Sequence, residues 1–153
     1  MYGITAAVVL TAYLGLASMI DIAKKRLPVW VLAAGTVPAV IGTAASVLNA
    51  PEGERIKVLI SHALGMLIGL SFLIICLITR EKLGKGDAII FAVCGAAVGH
   101  EKLLTLILSA FLLSALYGVA MLAIGRMTRK SSFAFVPFIL LGNIMTEVLM
   151  YGA

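Results

Sequence analysis

Charge is what this sequence has least of. Only 12% of its 153 residues are Asp, Glu, Lys or Arg, where a soluble globule keeps roughly 25% to cover its surface. With 62% hydrophobic residues and a mean hydropathy of +1.14, the chain has lipid as its natural solvent. It reads as an integral membrane protein. The formal charge of +5 does not mark a nucleic-acid binder, because such proteins carry a basic face on a polar domain. Here the basic residues occupy short gaps between apolar runs, so no nucleic-acid partner is expected.

Metal-ligating and redox residues are also scarce. The two cysteines, Cys76 and Cys94, lie inside apolar stretches with no C-x-x-C, which excludes a zinc ribbon or a thioredoxin-type motif. They read as packing residues. "GHEKLL" (Gly99 to Leu104) approaches the H-E-x-x-H zinc motif, but Leu104 stands where the second histidine belongs. The other histidine is His62, and both are expected at the outer end of the molecule. Neither metal nor cofactor is expected. The opening "MYGITAAVVLTAYLGLASMI" lacks a basic n-region and a clear cleavage site, so it reads as a retained first span.

Long apolar runs are abundant. A helix needs about 20 apolar residues to cross the hydrocarbon core, and five runs qualify: 2–20, 27–50, 58–79, 103–125 and 131–153. A sixth, 88–99, has 12 residues and rises only about 18 Å as a helix. The basic residues decide whether it crosses. With six spans, nine Lys/Arg fall on one side and three on the other; with five, the split is seven to five. The positive-inside rule prefers the first, which gives a bundle of six transmembrane helices with both termini outside. Tyr2 and Tyr151 then sit together at the outer interface. Counting back from Gly99 across a core about 30 Å thick puts Asp87 roughly 10 Å below the inner surface.

Aspartate occurs only twice, as Asp21 and Asp87. Under the six-span topology both fall at the cytoplasmic end of a helix. Two carboxyls at similar depth can share a proton, because like charges a few ångströms apart cannot both ionise freely. One then serves as general base on a water while the other polarises a carbonyl. Each also has a structural reading: Asp21 paired with Lys24 or Lys25 at a helix end, and Asp87 as an N-cap after "GKG".

Around these residues the chain resembles the type IV prepilin peptidases. "DIAKKRLP" (Asp21 to Pro28) is similar to that family's first aspartate loop. "GKGDAIIFAVCGAAVG" (Gly84 to Gly99) is similar to its G-x-G-D segment and the helix after it, and "FVPFILLG" (Phe135 to Gly142) to the start of its last helix. The resemblance implies a membrane aspartic endopeptidase of the G-x-G-D class, more distantly similar to presenilin and signal peptide peptidase. Its substrate would be a prepilin or pseudopilin with a basic leader and an apolar helix, cut at the cytoplasmic face of a prokaryotic cytoplasmic membrane. Carried over, the catalytic pair is Asp21 and Asp87, with Gly84, Lys85 and Gly86 as the site-shaping loop. The glycines would supply a tight backbone through their freedom at positive φ. Two positions depart from the family's habit: Ile89 replaces a common lysine and Val29 a frequent asparagine. The C-x-x-C pairs associated with N-methylation in larger members are missing, so residues 1–153 are expected to form one minimal peptidase domain.

Other features read as structural. "GMLIG" (Gly65 to Gly69) and "GAAVG" (Gly95 to Gly99) allow helices to approach closely, within the bundle rather than between copies. Pro38 and Pro137 should kink or delay their helices. Glu147 should snorkel or bond to a neighbour. Two rival functions stay open: a non-catalytic pilus or secretion subunit of the same fold, and a small transporter component whose acids carry cations or protons. The transporter predicts internal repeats, which the two halves do not show.

Overall fold

A computed structural model describes residues 2–24, 27–78, 84–125 and 134–151 of the chain. The elements are α1 (Tyr2–Lys24), α2 (Val29–Ala34), α3 (Thr36–Asn49), a 3-10 turn (Glu52–Glu54), α4 (Arg55–Ile78), α5 (Lys85–Val98), α6 (His100–Ala123) and α7 (Val136–Tyr151). Every regular element among the described residues is helical, and each apolar run has its helix. Four stretches are long and apolar enough to cross a bilayer: Ile4–Lys24, Val29–Asn49, Glu52–Ile78 and His100–Ala123. Val136–Leu149 is a shorter apolar helix. Helix α5 has 14 residues and rises about 21 Å, less than a hydrocarbon core. Lys25, Arg26, Arg80, Lys82, Arg126, Arg129 and Lys130, which carry most of the topological argument, lie outside the described residues.

The second run is one span made of two helices, parted at Gly35. The kink expected at Pro38 appears one turn upstream. A proline offers no N–H and its ring crowds the carbonyl four residues back, here Ala34, the last residue of α2. Thr36 donates its hydroxyl to Ala33 O at 2.8 Å across the break. Pro137 lies in the first turn of α7, where its missing N–H is not needed.

Helix α5 is the centre of the molecule. It buries Ala88, Ile90, Phe91, Ala92, Cys94, Gly95 and Ala97, and α1, α2, α3, α4 and α6 all pack against it. Lipid gives no hydrophobic drive for helices to associate, so close van der Waals approach must do it. Glycine supplies the approach. Gly65 of α4 and Gly95 of α5 face each other backbone to backbone, Gly69 lies on the backbone of Ala92, and Gly42 of α3 on that of Ala97. The two G-x-x-x-G patterns therefore serve contacts within this chain.

The outer surface is apolar. Ile56, Leu67 and Ile78 of α4 are 72%, 64% and 74% exposed, and Leu108 of α6 is 72% exposed. Water would not tolerate so large a patch; lipid does. The chain is a multi-pass membrane protein.

Candidate active site

Helix α1 presents one buried stripe. Leu10, Tyr13, Leu14, Ala17, Ser18 and Asp21 recur at three- and four-residue steps and are all buried, which is one face of a 3.6-residue helix. Asp21 ends that stripe, one turn before α1 finishes at Lys24. Only 7% of it is exposed.

A buried carboxylate needs a donor, and Asp21 finds one on the last helix. The backbone N–H of Val136 donates to Asp21 Oδ2 at 3.2 Å. Val136 opens α7, whose first-turn N–H groups have no partners inside the helix. Pro137 has no N–H to offer, and Phe138 and Ile139 donate back to Phe135 O at 2.9 and 3.4 Å. Asp21 thus caps α7 from the other end of the sequence, at the positive end of its dipole. Lys24, one of its expected partners, is exposed, and Lys25 lies outside the described residues.

Asp87 sits in the first turn of α5. It is not the N-cap: that position is Gly84, whose carbonyl accepts from the N–H groups of Asp87 at 3.1 Å and Ala88 at 3.3 Å. The Asp87 carboxyl folds back over Gly84, where an added Cβ would meet Oδ2 at 2.6 Å and Cγ at 3.2 Å. Gly84 has φ −65°, and positive-φ glycines among the described residues are Gly99 and Gly125. The expectation that Gly84 and Gly86 serve a left-handed turn is therefore corrected: these glycines provide room. Gly86 seats the side chain of Leu27, whose Cδ1 would lie 2.8 Å from a Cβ there. Leu27 belongs to the segment that follows Asp21, so this contact locks the two aspartate segments together. Lys85 is exposed at the start of α5, and Ile89 is half-buried one turn inside it.

The fold brings the two aspartate-bearing segments together through the Leu27–Gly86 contact; Asp87 is half-buried there and Asp21 is enclosed. A phenylalanine cluster joins α4, α5, α6 and the residue before α7. Phe91, one turn after Asp87, lies 5.2 Å from Phe72, 6.1 Å from Phe111 and 6.0 Å from Phe135 between ring centroids. Phe111 and Phe135 are 5.5 Å apart. Such tilted and edge-on pairs stabilise beyond their burial, and this cluster fixes Phe135, whose neighbour Val136 donates to Asp21. Neither the phenylalanine cluster nor the Val136 N–H was visible in the sequence. The four rings come from four distant segments, and a backbone donor leaves no residue signature.

No group of three or more His, Cys, Asp or Glu converges among the described residues. Both histidines occupy the opposite end of α5. His62 Nδ1 lies 2.7 Å from Ala96 O and His100 Nδ1 lies 2.8 Å from Ser61 Oγ. Glu147 is at that end too, lining a cavity of about 90 Å³ with Ser46, Val98 and Lys102.

Comparison with known proteins gives a family match. The profile of the type IV leader peptidase family matches residues 8–119, a range that includes both aspartates and stops short of α7. The prepilin leader peptidase/N-methyltransferase of Bacillus subtilis (strain 168) is 36% identical over 90 residues, 58% of this chain and 36% of that protein. The aligned stretch thus spans about a third of that relative's length. No solved structure matches.

Proposed function

Because the chain belongs to the type IV leader peptidase family, we propose that it is an aspartic endopeptidase of the G-x-G-D type. It removes the basic leader from type IV prepilins or pilin-like proteins at the cytoplasmic face of a prokaryotic cytoplasmic membrane. The observation that supports this reading is that Leu27, from the segment after Asp21, packs on Gly86 beside Asp87, while Asp21 accepts from the N–H that opens α7.

The chemistry follows from two carboxyls holding one proton between them. The ionised carboxyl takes a proton from a water, whose oxygen attacks the scissile carbonyl. The protonated one donates to that carbonyl oxygen, giving a neutral tetrahedral diol. On collapse the C–N bond breaks as one diol hydroxyl gives its proton to the ionised carboxyl and the protonated carboxyl gives its proton to the leaving amine, so the pair again holds one proton. The reaction assigned to these residues is peptide-bond hydrolysis alone.

The membrane supplies the geometry. Six spans with both termini outside put both aspartates at the inner boundary, and the nine-to-three distribution of Lys and Arg supports that orientation. The shortness of α5 supports a submerged Asp87. A precursor has its apolar helix in the bilayer and its basic leader in the cytoplasm, so its junction reaches the pair. Cationic loops do not attract a basic leader; docking of the apolar helix and the leader's attraction to anionic lipid supply recognition.

Co-expression with a pilin-like precursor, read by the gel shift of leader loss, tests the proposal. Asp21→Asn and Asp87→Asn should each lower processing at least about a hundredfold, with the protein still folded in the membrane. Full processing by either variant refutes the assignment.

A further inference from the structure

Among the described residues, two buried side-chain polar atoms have no hydrogen-bond partner: the hydroxyls of Tyr13 and Ser18. Both lie on the buried stripe of α1. The Tyr13 hydroxyl has a packing explanation. It occupies the space left by Gly35, where a Cβ would come within 2.8 Å of it, and it lies more than two turns from Asp21. Ser18 has none. It is 5% exposed and three residues before Asp21, hence on the same face of the helix.

Several hydroxyls elsewhere in these helices donate back to their own helix: Ser71 to Ile68 O at 2.6 Å, Ser114 to Phe111 O at 2.9 Å and Thr146 to Gly142 O at 2.8 Å. That is the ordinary refuge of a hydroxyl in an apolar setting. Ser18 forgoes it one turn from the carboxyl pair. An unpaired buried hydroxyl lowers stability, so its retention at such a place calls for a partner that arrives later.

The substrate supplies one. A helix cannot be cleaved while its scissile bond stays wound, so a segment must open, and each freed N–H and C=O in lipid then needs a partner. Ser18 lies about 4.5 Å along α1 from Asp21, toward the membrane interior. An extended peptide covers about 3.3 Å per residue. We propose that Ser18 is a substrate-binding residue whose hydroxyl hydrogen-bonds a main-chain group one or two residues beyond the scissile bond, on the apolar side. This rests on the peptidase reading above.

The test uses the full chain in proteoliposomes and a synthetic precursor with a basic leader and an apolar helix. Two further precursors carry an ester in place of the first or second peptide linkage after the cut. Ser18→Ala should lower kcat/KM roughly three- to tenfold, the size of one neutral hydrogen bond. Its melting temperature should be equal to or above that of the unaltered protein, since an unpaired hydroxyl has been removed. One of the esters should slow the unaltered protein by a similar factor and leave Ser18→Ala unaffected. Unchanged kcat/KM in Ser18→Ala, a lowered melting temperature, or esters that act equally on both proteins would overturn the inference. Asp21→Asn in the same assay separates the two claims. If it is inactive while Ser18→Ala is normal, only the role of Ser18 falls; if it cleaves, the peptidase reading falls as well.

Discussion

The two ends of α5 meet the same difficulty in opposite ways. At its C-terminal end the helix stops at Val98, Gly99 turns with φ +81°, and α6 begins at once. The carbonyl of Ala96 is left without a helical partner, and two neighbouring helices complete it. Thr43 of α3 donates its hydroxyl at 2.7 Å, and His62 of α4 donates Nδ1–H at the same distance; a carbonyl only accepts, so that nitrogen carries the proton. His100 is tied to Ser61. At the N-terminal end Asp87 lies in the first turn, Asp21 accepts from the Val136 N–H, and among the described residues the buried Ser18 hydroxyl has no partner. The difference is between a joint and a site. A polar cluster with every bond made is rigid and contributes to stability, whereas a cluster left short of partners keeps its bonding capacity for something that binds.

Substitutions can break or sharpen that contrast. The largest effect should come from the seam that carries both ends. Gly95→Val would drive a side chain into the backbone of Gly65, and neither helix can yield without unseating α5. A loss of about 3 kcal/mol or more is expected from such overpacking. Folded protein should vanish from the membrane fraction and leader removal with it. His62→Ala should act more narrowly. It strips one of two donors from a buried carbonyl and leaves a cavity, at a cost of about 1–3 kcal/mol. The melting temperature in detergent should fall while the folded molecules cleave at the normal rate. A His62→Ala protein of normal stability and impaired turnover would erase the distinction between the two ends.

How much of this was legible in the sequence depends on the kind of interaction. Burial in lipid is a one-dimensional property, and the apolar runs located the helices, down to the short one that became α5. The scarcity of aspartate singled out Asp21 and Asp87, because a membrane chain keeps few acids without reason. How their segments come together was not legible. It depends on Leu27 lodging over Gly86 and on phenylalanines from three helices and the residue before α7, and neither has a periodicity. The G-x-x-x-G patterns were readable as close contacts, but that Gly65 meets Gly95 is a tertiary fact. Pro38 announced a disturbance, and steric crowding displaced it upstream to Gly35. The glycines before Asp87 were read as turn formers, whereas the space they leave for a carboxyl and a leucine is what the fold uses. Ser18 gave no signal at all, since an unmet hydrogen bond exists only once its surroundings are known.

The most direct measurement asks whether positions 21 and 87 are neighbours in the membrane. With the native Cys76 and Cys94 replaced by alanine, Asp21→Cys/Asp87→Cys carries only the two introduced thiols for a short bis-maleimide or mild oxidation to join. The account predicts an intramolecular cross-link between 21 and 87 in native membranes, detected by mass spectrometry, and none when Asp21→Cys is paired with a cysteine at Lys102. Failure of the 21–87 pair to cross-link in folded protein, with both thiols shown to be reactive, would contradict it.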